Sequence, residues 1–457
     1  MTSIIHVKNP FLTDPLGVVF ARTAFPIILV MVINGSFATI DAYFLGRYVG
    51  AEALTAVTLM FPIFMFVVAL STLVAAGFSS VLARQLGAGD TFEAGRSYVQ
   101  ASLLTTLFCA LLVTVFLVFG LNLVAWAANG SAELARHGYT YISLSIYWSP
   151  LVFFLSINTD SLRAEGRMAA MALISVLSAL LNILFDYIFV AELEMGVAGS
   201  AWGSIVAQML AIAAIFAYRA KVGWSFEVSR HSFTPSPQLW RTFLALGAPA
   251  SLGYIGFALS AGITILLLQI WSVDYQAIAG AYGISTRVMT FVFMPILGLS
   301  FATQTIVGNN FGAGKPERSR AALRVAMICA GVYCAGFQAC LYLFRSEIGE
   351  IFVTDAATVH EFARILPFAT LTLFLFGPQM MVGMYFQAIG DARRAALLNL
   401  SRTYIFGIPL LVLMPSLVGE IGIWISGAVA EVFVLLLTLV VLKRTGVLKG
   451  SNTMKFA

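Results

Sequence analysis

Long apolar runs, separated by short polar segments, fill almost the whole chain. A helix needs about 20 predominantly apolar residues to cross a bilayer, and each run has about that length. A polar stretch from Arg219 to Gln238 separates six runs from the six that follow. The pattern therefore predicts twelve transmembrane helices in an all-α polytopic membrane protein. The predicted spans lie at about 16–45, 53–82, 97–127, 138–160, 168–190, 197–218, 240–270, 277–308, 321–344, 362–386, 395–417 and 420–442.

The composition excludes a soluble protein. Hydrophobic residues make up 60% of the 457 residues and charged residues only 10%, whereas a soluble domain carries about 25% charged residues. A transmembrane barrel would show alternating segments of about ten residues instead of long continuous runs. The four cysteines lie in apolar segments without metal-ligand spacing, so we interpret them as small apolar side chains. They are Cys109, Cys329, Cys334 and Cys340.

Basic residues predict the orientation, because cytoplasmic loops are enriched in lysine and arginine. Nineteen of them fall on the side of the predicted spans where the termini lie, and only four fall on the other side. Those four are Arg47, Arg136, Arg345 and Arg364. We therefore expect both termini to be cytoplasmic. The net charge of +5 reflects this topology and does not indicate a nucleic-acid partner.

The two sets of six spans repeat each other. Gly87-Ala-Gly89 matches Gly312-Ala-Gly314, and Ala164-Glu-Gly166 matches Ala388-Ile-Gly390. Pro26 matches Pro249. Because these offsets are nearly constant, we infer a tandem duplication, and an even number of helices relates the halves by a pseudo-two-fold axis along the membrane normal. The predicted domains are two six-helix bundles, at 1–218 and 240–457, joined by a cytoplasmic linker at 219–239.

Two acids lie where the pattern otherwise predicts hydrocarbon. Asp41 falls in the first span and Asp186 in the fifth, and an intramembrane charge costs about 3 kcal/mol or more on insertion. Asn182 lies four residues before Asp186, so both side chains share one helix face. Such oxygen ligands suit a hard cation such as Na⁺, and paired carboxylates equally suit a proton. The sequence leaves the choice of ion open.

Four segments carry a family resemblance. They are Asp41-Ala-Tyr-Phe-Leu-Gly46, the Pro295 to Gln304 segment, Val307-Gly-Asn-Asn-Phe-Gly-Ala-Gly314 and Phe386-Gln-Ala-Ile-Gly390. Together with the duplication, they resemble the multidrug and toxic compound extrusion (MATE) family over essentially the whole chain. The resemblance implies an exporter of organic cations and other amphipathic compounds, driven by inward flow of H⁺ or Na⁺. It implies neither an enzyme nor a cofactor other than the coupling ion.

The position of the acids favours one branch of the family. NorM-like members carry a glutamate after the proline of helix 7, but the stretch from Pro249 to Phe257 has none. The chain looks instead like the DinF-like or MepA-like branches, whose acids lie in the amino-terminal half. The resemblance then implies an ion-coupling site at Asp41, Asn182, Asp186 and Ser204, with Na⁺ possible at the first three.

Other residues are weaker candidates. Asn34, Tyr43, Tyr187, Tyr254 and Met289 are candidates for lining a substrate cavity, although packing between helices is an alternative for each. Pro26 removes a backbone hydrogen bond in mid-helix, so it is either a conformational hinge or a static kink. Arg287 needs a partner inside the membrane, and Glu431 is the candidate for a buried charge pair with it.

The expected partners are the lipid bilayer and small amphipathic or cationic drugs and toxins, with no nucleic acid. We expect a monomer in the plasma membrane, as a bacterial or archaeal inner-membrane protein. Two alternatives stay open. One is a lipid-linked oligosaccharide flippase of the same superfamily, which would need a cationic cavity. The other is a membrane receptor or scaffold that transports nothing.

Overall fold

The computed structural model describes residues 9–128, 131–353 and 355–447. The side chains of Asn34, residues 36–43 and Ala51 lie outside this description. The predicted site residues Asn34, Asp41 and Tyr43 are therefore known only by their backbone, which lies in a helix. Within the described ranges all regular structure is helical, without a strand, which confirms the all-α prediction.

Seventeen α-helices follow one another along the described part of the chain. They are α1 Pro10–Thr13, α2 Leu16–Phe44, α3 Ala51–Ala88, α4 Thr91–Ala127, α5 Ala132–Tyr147, α6 Ser149–Ala164, α7 Met168–Asp186, α8 Val197–Val222, α9 Pro237–Trp271, α10 Tyr275–Gly312, α11 Pro316–Leu343, α12 Arg345–Phe352, α13 Ala356–Ala369, α14 Leu373–Ile389, α15 Ala392–Leu400, α16 Ile408–Val418 and α17 Ile421–Thr445. Three π-helical segments, Leu45–Val49, Tyr187–Glu192 and Ser401–Gly407, and a 3₁₀ turn, Arg230–Phe233, complete the description.

The spans agree with the hydrophobic pattern. Ten helical stretches among the described residues are long and apolar enough to cross a bilayer, and two bent helix pairs raise the number to as many as twelve. The prediction of twelve transmembrane helices is confirmed. The predicted spans 138–160 and 362–386 each correspond to a bent pair of helices, with a bend of 46° between α5 and α6 and of 50° between α13 and α14. A proline lies near each break, Pro150 in the first turn of α6 and Pro367 inside α13. Because proline has no backbone N–H to donate, it weakens the helical hydrogen bonding there.

The first compact unit comprises the chain up to Ser251 together with Gly308–Lys315. Glycines allow α3 and α9 to cross at very short range within it. A Cβ on Gly77 would lie 1.9 Å from the carbonyl oxygen of Phe243, and one on Gly247 would lie 1.8 Å from that of Leu73. Since no side chain fits in such a gap, these two positions bring the helices into backbone contact.

The second compact unit comprises Leu252–Val307 and the chain from Pro316 onward. Its α11 and α14 pack around small residues, because a Cβ on Gly377 would meet the Cys334 sulfur at 2.7 Å and Ala330 at 3.0 Å. Cys334 is fully buried there as an apolar side chain. The domain boundaries drawn from the sequence, at 1–218, 219–239 and 240–457, stay a prediction.

Candidate functional site

A polar cluster lies between α7 and α8 in the first unit. Asn182 and Asp186 are one turn apart on α7, and Ser204 lies on α8. The Asn182 amide donates a hydrogen bond from Nδ2 to Ser204 Oγ at 3.0 Å. Asp186 is fully buried, and Asn182 is only 5% exposed. The structure thus brings Asn182 and Ser204 into direct contact beside a buried carboxylate, and the predicted ion-coupling role of these residues stays a prediction.

Gly203 gives the Asp186 carboxylate its place. A Cβ on Gly203 would lie 2.1 Å from Asp186 Oδ1 and 3.1 Å from the Asp186 backbone nitrogen. The carboxylate oxygen therefore occupies the volume that any other side chain at 203 would fill. The sequence analysis did not single out Gly203, although it lies beside Ser204 in the run of small residues that begins α8.

A π-helical segment begins directly after Asp186. It runs from Tyr187 to Glu192, and a second one runs from Leu45 to Val49, starting four residues after Asp41. Wide turns of this kind are frequent at functional sites, because they release backbone groups from the regular α-helical pattern. The fold places one such turn beside each of the two predicted acids.

The cluster offers only oxygen ligands among its described atoms. Asn182 Oδ1 is buried and has no hydrogen-bond partner within the part of the chain that the structure describes. A carboxylate, an amide oxygen and a hydroxyl can hold a hard cation, and the carboxylate alone can hold a proton. Among the described residues, no group of three or more His, Cys, Asp or Glu could hold a metal ion.

The predicted cavity residues whose side chains the structure describes are not part of this cluster. Tyr187 is 41% exposed, and its hydroxyl donates to Glu192 Oε1. Tyr254 on α9 and Met289 on α10 are half-buried residues of the second unit. Pro26 lies inside α2, which continues through it. Their roles in substrate binding and bending stay predictions.

The predicted charge pair between Arg287 and Glu431 is wrong. Glu431 pairs with Arg402, whose Nε lies 2.8 Å from Glu431 Oε1. The π-helical segment Ser401–Gly407 carries Arg402, whose guanidinium also lies 4.4 Å from the centre of the Phe376 ring. Arg287 is exposed rather than buried. The local widening of the helix at Ser401–Gly407 was not apparent from the sequence, which did not indicate Arg402 as the partner of Glu431.

Sequence reasoning also missed a buried ion pair in the first unit. Arg219 lies 2.9 Å from Glu165, and both side chains are at most 1% exposed. Ser161 donates to Glu165 Oε1 at 2.9 Å, and the Arg219 guanidinium lies 3.9 Å from the Trp224 ring centre. The sequence repeat held one indication of this pair. Glu165 is charged, whereas Ile389, the residue that matches it in the second half, is apolar.

The fold and the site together define a class of protein. A helical chain with up to twelve spans and a polar cluster buried inside one unit is a polytopic membrane protein with a polar interior site. The MatE family model matches residues 26–188 and 249–413, which together are well over half of the chain and fall one in each sequence repeat. The chain therefore belongs to the MATE family, whose members are transporters and not enzymes.

Curated relatives support this assignment at low identity. The chain is 24% identical to the multidrug export protein MepA of Staphylococcus haemolyticus, over 89% of this chain and 88% of that protein. It is also 24% identical to an FAD transporter of Shewanella oneidensis, over 92% of each chain. The MepA relatives support the MepA-like branch that the missing helix-7 glutamate favoured.

Solved structures establish the fold. A MOP superfamily transporter from Pyrococcus furiosus superposes with a TM-score of 0.88 at 22% identity, covering 97% of this chain and 99% of that one. The outward-facing conformation of a multidrug resistance MATE family transporter superposes with a TM-score of 0.85 at 22% identity, covering 95% of this chain and 98% of that one.

Proposed function

We propose that this chain is a secondary multidrug efflux antiporter, which exports cationic or amphipathic compounds in exchange for H⁺ or Na⁺ by alternating access. The observation that carries the proposal is the buried Asp186 carboxylate beside the hydrogen-bonded pair of Asn182 and Ser204. Burying an acid inside the membrane is costly, so in a family of transporters such an acid is best explained by ion coupling.

The coupling follows from the cost of burying a charge. An ionised carboxylate held away from water is disfavoured, and a proton or a metal ion on the site stabilises a conformation that seals Asp186. A conformation that opens the site to water tolerates the charged form. Binding of the ion therefore shifts the population between the two conformations. Asp41, on α2, is the proposed second carboxylate of the site.

The proposed substrates follow from the relatives. Several are named multidrug export proteins, which favours small amphipathic or cationic compounds over a single metabolite. We further propose a monomer in the inner membrane of a bacterium or archaeon, with both termini in the cytoplasm. The excess of basic residues on the side of the termini supports this orientation.

The test is efflux of ethidium from bacterial cells that lack their own pumps, under separately imposed H⁺ and Na⁺ gradients. We expect wild type to extrude the dye, and Asp41→Asn and Asp186→Asn to lose at least most of this activity. Asp274→Asn is the matched control, because Asp274 caps α10 by accepting a hydrogen bond from the Ala277 backbone, and asparagine caps equally well. Full activity in both site variants would overturn the coupling proposal.

A second candidate substrate is FAD or a related anionic dinucleotide. The FAD transporter relative is as similar to this chain as MepA is. Arg287 is an exposed cation on α10 without an ion pair among the described residues, and such a cation suits a phosphate-bearing substrate. Flavin accumulating outside expressing cells, and falling with Arg287→Gln while ethidium efflux is absent, would favour this candidate over drug export.

A further inference from the structure

The linker between the two sequence repeats is held rigidly against α4. Gln100, which is fully buried, donates from Nε2 to the carbonyl oxygens of Ser232 at 2.7 Å and Thr234 at 2.8 Å. Its Oε1 accepts from the Ser236 backbone at 2.8 Å. A single side chain thus satisfies three backbone groups of the linker, so this segment has a fixed place on the helix.

The linker also contacts the first turns of α4. The Glu227 backbone nitrogen donates to the Thr91 carbonyl at 3.1 Å. A Cβ on Gly95 would lie 1.8 Å from the Glu227 carbonyl oxygen, so only glycine permits this approach. From Glu227 to Ser236 the linker therefore climbs along α4, from the start of the helix at Thr91 to the level of Gln100.

The length of α4 places that level at a membrane boundary. Its 37 residues span about 55 Å at 1.5 Å per residue, whereas the hydrocarbon core is about 30 Å thick. When the helix is centred, about 12 Å extends beyond the hydrocarbon at each end. Gln100 is nine residues after Thr91, which is about 13 Å along the axis. The linker around Ser232 therefore lies at the edge of the hydrocarbon.

The outer face of the linker has the chemistry of a membrane interface. Phe233 is 57% exposed and Val228 is 49% exposed, although Ser232 between them is buried. Arg230 and His231 are both exposed beside them. Because Gln100 holds the backbone at Ser232 and Thr234, the exposed Phe233 side chain between them stays at the surface. Aromatic rings and cations are the side chains that interfaces favour.

We propose that residues 228–233 form a docking surface for anionic phospholipids, with Phe233 inserted at the hydrocarbon edge and Arg230 bound to the headgroups. The proposal rests on the cytoplasmic position proposed above for the linker, because the cytoplasmic leaflet is the anionic one. It does not depend on what the transporter exports. The surface attaches the connection between the two repeats to the bilayer itself.

The test uses the full chain in nanodiscs, with a fluorescent label on a cysteine at Phe233→Cys after the four native cysteines are replaced by alanine. Glu227→Cys is the matched control. Glu227 is exposed on the same linker, but it lies beside Thr91, at the end of α4 that extends beyond the hydrocarbon. Quenching is measured with nitroxide-labelled phosphatidylglycerol, with nitroxide-labelled phosphatidylcholine and with aqueous iodide.

We expect the lipid nitroxides to quench the label at 233 strongly and the label at 227 weakly, with iodide showing the reverse order. Phosphatidylglycerol is expected to quench more than phosphatidylcholine at 233. Arg230→Gln should lower this preference about fivefold, as one cation near a charged surface implies, and high salt should lower it further. Thermal unfolding of the labelled chains verifies that they are folded, separately from the lipid result and from any transport activity.

Three outcomes would overturn the proposal. Access of iodide to position 233 equal to that at 227 would mean that the surface faces water. Protection of 233 from both lipid nitroxide and iodide would mean that protein covers it. Equal quenching by the two lipids, unchanged in Arg230→Gln, would mean that Arg230 does not bind anionic headgroups.

Discussion

Gly203→Ala offers a sharp test of the geometry at Asp186, because it adds one methyl group and removes no polar atom. The new Cβ would lie 2.1 Å from Asp186 Oδ1, while ordinary contacts begin at about 3.4 Å. The carboxylate oxygen must therefore move by more than 1 Å. It is the end of a side chain, so it can rotate, whereas the Asp186 backbone nitrogen at 3.1 Å needs only a small adjustment.

A displacement of that size is large for a functional site. Functional groups need to stay within about 0.5 Å of their productive positions, and in enzymes a misplacement of 1 Å can cost about a hundredfold in rate. We therefore expect Gly203→Ala to lower ion-driven ethidium efflux about a hundredfold, close to the level of Asp186→Asn. Alanine is the better helix former by about 1 kcal/mol, so the fold is expected to persist.

The assay is the initial rate of ethidium efflux at matched expression, together with thermal unfolding of the purified chain. Gly262→Ala is the control, because a Cβ there meets nothing within 4 Å and tests the helical glycine substitution by itself. It should transport as wild type does. If Gly203→Ala also transports at the wild-type rate while folded, the position of the Asp186 carboxylate does not matter for coupling, and the reasoning fails.

Three further predictions concern the rest of the molecule. Arg402→Leu should destabilise the second unit by about 3–5 kcal/mol, because it leaves Glu431 buried without its partner; Arg402→Met combined with Glu431→Leu should recover most of the thermal stability in detergent. Gln100→Leu should free the linker, so that proteolysis between 227 and 236 becomes faster while the helices stay resistant. Hydrogen bonds from Thr358 lower the pKa of the Asp355 carboxyl below its usual value, so the α13 cap should be intact above the ordinary pKa, about 3.9, and be lost as the pH falls through the lower folded value. Hydrogen exchange in the first turn of α13 measures this, and Asp355→Asn should abolish the pH dependence.

Hydrophobic length predicted the spans well, because the bilayer imposes one physical constraint on every helix. Local deviations were harder to predict. The helix breaks at Trp148 and at Thr370 lie inside runs that remain apolar throughout, so hydropathy carries no signal for them. Nearby prolines gave the only local indication. The π-helical segments depend on tertiary contacts and had no visible signature in the sequence.

The candidate site was predictable to the extent that its members are local. Asn182 and Asp186 are one helical turn apart, and this spacing alone placed them on one face. Pairings across the chain were not predictable in the same way. Arg402 lies on a widened helical turn and pairs with Glu431. Arg219 pairs with Glu165, which is 54 residues earlier in the sequence. Contact between distant charges is decided by packing, which a single sequence does not display.

Ion counterflow in reconstituted vesicles measures directly whether export is coupled to H⁺ or Na⁺ through Asp186. Purified protein would be placed in liposomes that hold an ethidium gradient and no ion gradient, and H⁺ or ²²Na⁺ movement would be followed. In wild type we expect dye movement to drive one of these ions in the opposite direction, and we expect Asp186→Asn to abolish this counterflow. Dye movement without movement of either ion, or counterflow that survives in Asp186→Asn, would contradict it.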